Sequence, residues 1–397
     1  MKISPFKLLC GTGLFAIFSS TISKSPVLPL YATYLGAGPS GVGFVASVSA
    51  FTGIVASIPA GLLSDRIGRK RLLIVAAVVF ATAPFLYMVV TELWQLALVR
   101  FYHGFATAIF LPVGMALVSD LFHGERGEKL GWFSTSMLLG RFMAPIVGGA
   151  LIGALVFNPG LSYHVVYLVC GAAGIMALIL TIFIPEPRRS SEEKQDWRQS
   201  LRTFRSVISR RDIVITAMVE AAILFSYGTF ETFMPLFALR AGLSAYAVGV
   251  FLSAQVVTLA LTKPIMGRFS DRHGRPPQII AGATLGAACI GSFAFFGDFL
   301  PLLGLSVLFG LSLSIVTSAT SAYIADLSER ETHGSAMGIL GSIMDIGHTT
   351  GPLAAGVVAA SFGIGRAFFG ASLVLAAMAL FFLMTIGAAH HRHPQPV

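Results

Sequence analysis

The chain has 397 residues, of which 55% are hydrophobic and 11% charged, and its mean hydropathy is +0.81. A soluble domain carries about 25% charged residues, so this composition excludes a water-facing surface over most of the molecule. The net charge of +9 is spread between apolar runs and not along one amphipathic face. That distribution is typical of membrane topology and not of a nucleic-acid-binding protein.

Twelve apolar runs, separated by Gly, Pro or charged clusters, are long enough to cross a bilayer. A spanning helix needs about 20 mostly apolar residues, and backbone groups in hydrocarbon must pair within their own helix. The first run follows Lys2 and Lys7 but no cleavage site comes after it, so we interpret it as a retained span and not as a signal peptide. The runs cover residues 8–34, 41–63, 72–91, 93–119, 130–156, 161–184, 213–239, 244–266, 278–297, 300–325, 335–361 and 364–387.

Basic residues predict the orientation of these spans. The N-terminal tail and the loops that follow even-numbered runs hold 21 of the 27 Lys and Arg residues. Cytoplasmic loops carry such an excess, so both termini are expected in the cytoplasm, the membrane being a bacterial inner membrane. The three cysteines lie in apolar runs without zinc-ligand spacing, and no metal site is expected.

A hydrophilic segment at residues 185–212 predicts a division into two halves of six spans. The expected domains are an N-terminal bundle at 1–184, a cytoplasmic linker at 185–212 and a C-terminal bundle with a short tail at 213–397. Residues 197–208 are partly amphipathic, and this leaves open a helix on the membrane surface or a loosely ordered linker. We interpret the terminal HHRHPQPV as a solvated tail and not as a metal chelator.

The two halves repeat each other. GLLSDRIGR at residues 61–69 recurs as GRFSDRHGR at 267–275, and Asp120-Leu121 recurs as Asp326-Leu327, both at an offset of 206. In the fifth and eleventh runs, the glycine and proline at 140 and 145 recur at 347 and 352. Internal duplication is typical of secondary transporters, which bind substrate between the repeats near the bilayer midplane.

Three motifs make a family resemblance specific. GLLSDRIGRKR resembles the loop signature of the major facilitator superfamily between spans two and three, and GRFSDRHGRPP resembles the weaker copy after span eight. RFYHG at 100–104 and GRFMAPIVGG at 140–149 resemble the fourth- and fifth-span signatures of the family's drug/proton antiporters, with Ala144 where the family has Gly. The resemblance implies an all-α membrane protein, with twelve transmembrane helices in two pseudo-symmetric six-helix bundles (the major facilitator fold). It also implies a transport unit that is a single chain.

The loop motif suits a turn between helices that is held by charge pairs. Gly68 can adopt a tight turn, and Arg66, Arg69 and Arg71 can pair with acids such as Asp120. The resemblance implies that this network latches one conformation of the transporter. The candidate latch residues are Gly61, Asp65, Arg66, Gly68, Arg69, Arg71, Asp120, Gly267, Asp271, Arg272, Gly274 and Arg275.

The fifth-span motif suits a helix that bends and approaches its neighbours closely. A proline removes one backbone hydrogen bond, and small residues let helix backbones come together. The resemblance implies that this segment helps to set the direction of transport. The candidate bend residues are Gly140, Pro145, Gly148 and Gly149.

Charged residues inside the spans are the candidate transport site. A charge at the bilayer centre costs about 3 kcal/mol on insertion scales, so such residues usually face a cavity or a partner. A carboxylate in a low-dielectric cleft can load and release a proton; the candidates are Glu231 first, then Asp345, then Glu220. A permanent ion pair of Glu231 with Lys24 or Arg141 is the alternative, and the two roles are compatible. The expected substrate cavity contains Lys24, Arg100, Arg141, Glu231, Asp345, His348 and Tyr227.

These observations predict a proton-coupled transporter that exports a small amphipathic, zwitterionic or anionic organic molecule or drug by alternating access. The expected partners are that substrate, protons and the lipid bilayer, with no cofactor; no nucleotide-binding loop or metalloprotease motif is present. Two alternatives stay open. One is a proton-coupled importer or facilitator of a sugar, organic acid or peptide, and the other is a lipid flippase.

Overall fold

The computed structural model describes residues 4–186, 209–328 and 333–390, leaving out some side chains within helices. The described part is helical and contains no strand. Its helices are α1 (Pro5–Ile22), α2 (Val27–Tyr34), α3 (Pro39–Ile67), α4 (Arg69–Tyr87), α5 (Leu93–Leu121), α6 (Arg126–Ala154), α7 (Pro159–Phe183), α8 (Arg211–Arg240), α9 (Ala245–His273), α10 (Arg275–Ser292), α11 (Phe299–Leu327), α12 (His333–Phe362) and α13 (Ile364–His390), with short 3₁₀ turns at His123–Glu125 and Phe293–Phe295.

Eleven of the described helical segments are long and apolar enough to cross a membrane, counting α1 and α2 as one. Helix α12 has 30 residues but falls outside that set. The helix ends lie within a few residues of the predicted spans. The expected helix at residues 197–208 and the tail at 391–397 lie outside the described residues.

The first run differs from expectation, because it is two helices and not one. Helix α1 ends at Ile22 and α2 begins at Val27, with Lys24 and Pro26 between them. Proline has no backbone N–H to continue the hydrogen-bond ladder of a helix. The break places Lys24 outside regular helix in the middle of the span.

Two glycine turns join long helices directly. Gly68 has a φ of 104° between α3 and α4, and Gly274 has a φ of 90° between α9 and α10. Residues with a Cβ rarely adopt such angles. The turn predicted at Gly68 is confirmed, and its repeat forms the same turn.

The described residues divide into two compact units, one covering 1–190 with 231–253 and the other 191–230 with 254–397. In the first unit, α1 packs on α6 and α7, α3 on α5, and α4 on α5 and α7. Its apolar core includes Leu9, Leu73, Phe80, Phe110 and Phe133, which are fully buried.

The second unit is built around helix α10. Helix α10 packs on α11 and α13, and α12 packs on α13. Its core contains an aromatic cluster in which the Phe230 ring lies 5.2 Å from that of Phe293 and 5.4 Å from that of Phe309. Phe368 contacts Phe293 with ring centroids 5.9 Å apart.

The internal repeat extends from sequence to packing. Gly104 of α5 lies against Thr52 of α3, where an added Cβ would be 2.7 Å from the threonine side chain. Gly310 of α11 lies against Thr258 of α9 in the same way, with both partners displaced by 206 residues. A shared offset in both contact partners is what duplication of a packed helix pair produces.

A second pair of contacts repeats at an offset of 207. Gly140 of α6 lies against the backbone of Leu14 on α1, and Gly347 of α12 against the backbone of Ala221 on α8. In each case an added Cβ would collide with a carbonyl oxygen. The duplication inferred from the motifs therefore appears as equivalent packing in the two units.

Candidate functional site

A buried ion pair lies at the break between α1 and α2. The Lys24 ammonium is 2.6 Å from Glu231 Oε2 on α8, and the two side chains are 24% and 9% exposed. The interruption after Ile22 lets the lysine leave the helix to reach this partner. The sequence left open either Lys24 or Arg141 as the ion-pair partner of Glu231. In the structure the partner is Lys24, and this confirms the predicted ion pair.

A hydrogen-bonded chain of polar side chains lies in the same unit as this pair. Arg100, which is 3% exposed, donates from one guanidinium nitrogen to Ser49 Oγ at 2.6 Å and from the other to Tyr87 Oη at 3.3 Å. Tyr87 Oη and Ser23 Oγ lie 3.3 and 3.5 Å from Nδ1 of His103. The chain therefore runs from Ser49 on α3 to Ser23, the residue before Lys24.

Some donors and acceptors among these hydrogen-bonded side chains can be assigned from their chemistry. Arg100 has no lone pair to offer, so Tyr87 Oη accepts from it and keeps its own hydrogen for another acceptor. Ser23 Oγ donates to the carbonyl of Ser20 at 2.8 Å. The other ring nitrogen of His103, Nε2, is buried without a described partner.

Arg141 occupies a different environment from Arg100. Its side chain is exposed on α6, whereas Arg100 is buried. Both lie within electrostatic range of the Lys24 ammonium. Neither forms an ion pair with an acid of the described part of the chain.

The remaining predicted acids lie in the second unit. Glu220 of α8 is 1% exposed and accepts a hydrogen bond from the Thr320 hydroxyl of α11. Asp345 is half-buried on α12. One turn further along α12, the His348 ring lies 5.4 Å from that of Tyr227 on α8, so these two predicted cavity residues are neighbours.

Ion pairs at the loop motifs confirm the predicted partner of Arg69. Arg69 Nη1 lies 2.8 Å from Asp120 Oδ1. The repeat has the same pair, with Arg275 Nε 3.0 Å from Asp326 Oδ2, and Arg275 Nη1 also lies 2.5 Å from Asp271. Each pair joins the start of the helix after the glycine turn to the end of another helix in its own unit.

Other members of the motif differ in their surroundings. Arg71 lies 3.9 Å from Glu186, a partner that the sequence did not predict. Arg272 is exposed, and an added Cβ at Gly267 would meet open space. Gly61, Asp65 and Arg66 belong to α3, but their side chains lie outside the described part of the structure.

The fifth-span motif forms a close helix contact. An added Cβ at Gly149 would collide with the carbonyl of Ala245 on α9, and one at Gly249 of α9 would collide with the carbonyl of Pro145. Ser253 Oγ also donates to the Phe142 carbonyl at 2.9 Å. The reciprocal glycines let the α6 backbone and the first part of α9 touch. The predicted close approach is confirmed at Gly140 and Gly149, and an added Cβ at Gly148 would lie 3.4 Å from the side chains of Ile22 and Val27.

Comparisons with known proteins decide the family. The sequence pattern described as "Major Facilitator Superfamily" matches residues 8–260 and 242–397. The chain belongs to this superfamily. It is therefore a multi-pass membrane transporter of a small molecule and not an enzyme, and the predicted fold is confirmed.

Individual relatives are distant but cover nearly the whole chain. The uncharacterized MFS-type transporter MJ1560 of Methanocaldococcus jannaschii is 23% identical, over 91% of each chain. The multidrug resistance protein MdtG of Proteus mirabilis is 25% identical, over 93% of this chain and 92% of its own. A crystal structure of a bacterial homolog to the human lysosomal transporter Spinster, inward-facing and occupied, superposes with a TM-score of 0.84 at 14% identity, covering 99% and 98% of the two chains.

Some partners in this transporter had little sequence signal. The hydroxyls of Tyr87, Ser49 and Thr320 each form a hydrogen bond with a buried Arg or Glu side chain. In the sequence, they resemble the many other hydroxyls in apolar runs that bond only to their own helix. The Arg275–Asp326 pair lies at an offset of 206 from the pair that the loop motif predicted. Among the described residues, no group of three or more His, Cys, Asp or Glu side chains could hold a metal ion.

Proposed function

We propose that this transporter exports a small organic molecule in exchange for protons by alternating access. The observation that carries the proposal is the buried Lys24–Glu231 pair, because a charge pair inside a transport protein can respond both to a proton and to a charged substrate. The fourth- and fifth-span motifs and the likeness to a multidrug resistance protein support export. Glu231, Asp345 and Glu220 are the candidate proton carriers.

The chemistry of the spans favours a substrate that carries negative charge. Arg100 and Arg141 have no described carboxylate partner and lie near the Lys24–Glu231 pair. A purely lipophilic cation would be repelled by these guanidinium groups. We therefore propose an anionic, zwitterionic or amphipathic substrate, bound by a set that includes Lys24, Arg100, Arg141, Glu231, Asp345, His348 and Tyr227.

The loop ion pairs support the proposed conformational cycle. Arg69–Asp120 and Arg275–Asp326 join helix ends that both face the basic loops, which by the positive-inside rule are cytoplasmic. Partly exposed pairs are each worth about 1 kcal/mol or less, so they can break and re-form during transport. We propose that they latch one conformation, in a monomer of a bacterial inner membrane whose termini are both cytoplasmic.

Proton movement in everted vesicles tests this function. Vesicles containing the protein are given a pH gradient and challenged with a panel of organic anions, zwitterions and cations. We expect an anion or a zwitterion to dissipate the gradient, with the response reduced in Glu231→Gln, Asp345→Asn and Glu220→Gln. Uptake of a compound down its own gradient without proton movement would contradict exchange and favour a facilitator.

A further inference from the structure

Glu220 is a buried acid that has no close counter-ion among the described residues. It is 1% exposed on α8, and no basic group of the described residues lies within ion-pair distance. Glu231 lies eleven residues, or about 16 Å, further along α8 and is paired with Lys24 at 2.6 Å. Burying an ionised carboxylate is costly unless the group is paired or neutralised, so the charge of Glu220 must be balanced in another way.

Few charged side chains among the described residues lie close to Glu220. Among the described residues, the Lys263 side chain of α9 interacts electrostatically with the Glu220 carboxylate. Helices α10, α11, α12 and α13 also pack on α8, at Ile223, Glu220, Ala221 and Ser226 respectively. Among the side chains that the structure describes, the titratable groups on these helices are Arg275 and Cys289 on α10, Tyr323 and Asp326 on α11, Asp345 and His348 on α12, and Arg366 on α13.

The Thr320 hydroxyl can serve Glu220 in either protonation state. Its oxygen contacts Glu220 Oε2 and also lies 2.8 Å from the Val316 carbonyl of its own helix. When Glu220 is ionised, the threonine hydrogen points to the carboxylate. When Glu220 is neutral, the acid donates its own hydrogen to the threonine oxygen, and the threonine hydrogen turns to the Val316 carbonyl.

We propose that Glu220 and Thr320 together form the proton-carrying site of the exchange. A proton from water on one side forms an O–H bond at the Glu220 carboxylate, and that bond breaks to release the proton to water on the other side; no electrons are transferred. Thr320 is the positioning residue, since rotation of one hydroxyl replaces the reorganisation that a buried charge otherwise requires. This inference rests on the proposed proton coupling, and it separates the proton site from the Lys24–Glu231 pair.

Infrared titration of the full chain in lipid tests the site, with the proton as the probe. The carboxylic-acid C=O stretch is absent from a carboxylate and is sensitive to hydrogen bonding. We expect a titrating acid band across the physiological pH range that is lost in Glu220→Gln and retained in Glu128→Gln, which changes an exposed acid at the start of α6. Retention of the whole titrating signal in Glu220→Gln would overturn the assignment.

Variants of Thr320 test the same site by infrared titration if Glu220→Gln does not fold. Thr320→Val conserves volume and removes the hydroxyl, so the acid band should shift in wavenumber and in its pH midpoint, and Thr320→Ser should restore both. Ser321→Ala is the matched control, because that hydroxyl bonds only to the Thr317 carbonyl among its described partners. An unchanged spectrum in Thr320→Val would overturn the role of Thr320.

The infrared result is independent of transport. If wild-type vesicles show no exchange but the acid band behaves as expected, the proposed exchange fails, while Glu220 and Thr320 stand as a proton-binding site only. If exchange is present in the vesicles and survives Glu220→Gln with its pH dependence unchanged, the proton site is wrong and the proposed function stands.

Discussion

At the scale of single residues, the break at residues 23–26 explains how a charge pair fits inside a span. A lysine on a continuous helix is limited to one face, whereas Lys24 leaves the end of α1 and meets Glu231 at 2.6 Å. The pair is largely removed from water, and attraction between its charges offsets part of their desolvation. Each partner therefore depends on the other.

Removing one partner of the Lys24–Glu231 pair is expected to lower the free energy of unfolding more than removing both. Glu231→Met leaves a buried ammonium uncompensated, and we expect it to lower the free energy of unfolding by about 3 kcal/mol. The double variant Lys24→Met/Glu231→Met should recover part of that loss. Thermal unfolding of the purified protein in detergent measures both, and strictly additive effects would contradict direct pairing.

Tyr87 is expected to stabilise the protein through its hydroxyl. Tyr87→Phe removes the acceptor for buried Arg100 and the group beside His103 Nδ1. An unsatisfied buried donor costs about 1–3 kcal/mol. Tyr102→Phe is the matched control, because its bond to Thr82 is exposed and should be worth within about 0.5 kcal/mol. Equal melting temperatures for the two variants would refute a role for the Tyr87 hydroxyl.

At the scale of helices, the glycines mark where backbones touch. Repetition of Gly140 as Gly347 was visible in the sequence, but their partners Leu14 and Ala221 were not. Apolar periodicity is weak in a helix that is apolar all round, so it does not reveal how the helix is rotated about its axis. The predicted spans therefore matched the helix ends closely, while most contacts had to come from the structure.

Substitution on one helix tests these contacts. Gly347→Ala places a methyl group against the Ala221 carbonyl, and we expect a loss of about 1–3 kcal/mol from overpacking. Gly341→Ala on the same helix meets nothing within 4 Å and should be neutral or stabilising, since Ala favours helix by up to about 1 kcal/mol. Thermal unfolding that ranks the two variants in the opposite order would contradict the packing.

At the scale of the whole molecule, duplication explains what the sequence could predict. The loop motif predicted the Arg69–Asp120 pair, and the copies of Arg69 and Asp120 at a constant offset are the partners of the Arg275–Asp326 pair. No repeated motif indicated that Glu231 pairs with Lys24 and not with Arg141. Glu186 beside Arg71 lies after the last span of the first half and had no repeated motif to mark it.

The repeated ion pairs are expected to act alike. Arg69→Ala and Arg275→Ala should each slow transport several-fold while changing the free energy of unfolding by less than about 1 kcal/mol, because the pairs bias conformations more than they hold the fold together. The exchange variant Arg69→Asp/Asp120→Arg should recover part of the rate in vesicle uptake. No recovery by this exchange would contradict pairing as the source of the effect.

The measurement that tests the central claim most directly is proton movement in everted vesicles under an imposed pH gradient. The account predicts that an anionic or zwitterionic organic compound dissipates the gradient in vesicles containing the wild-type protein and not in vesicles without it. It also predicts that Glu220→Gln reduces this response. Accumulation of the same compound with no proton movement in wild-type vesicles would contradict proton-coupled export.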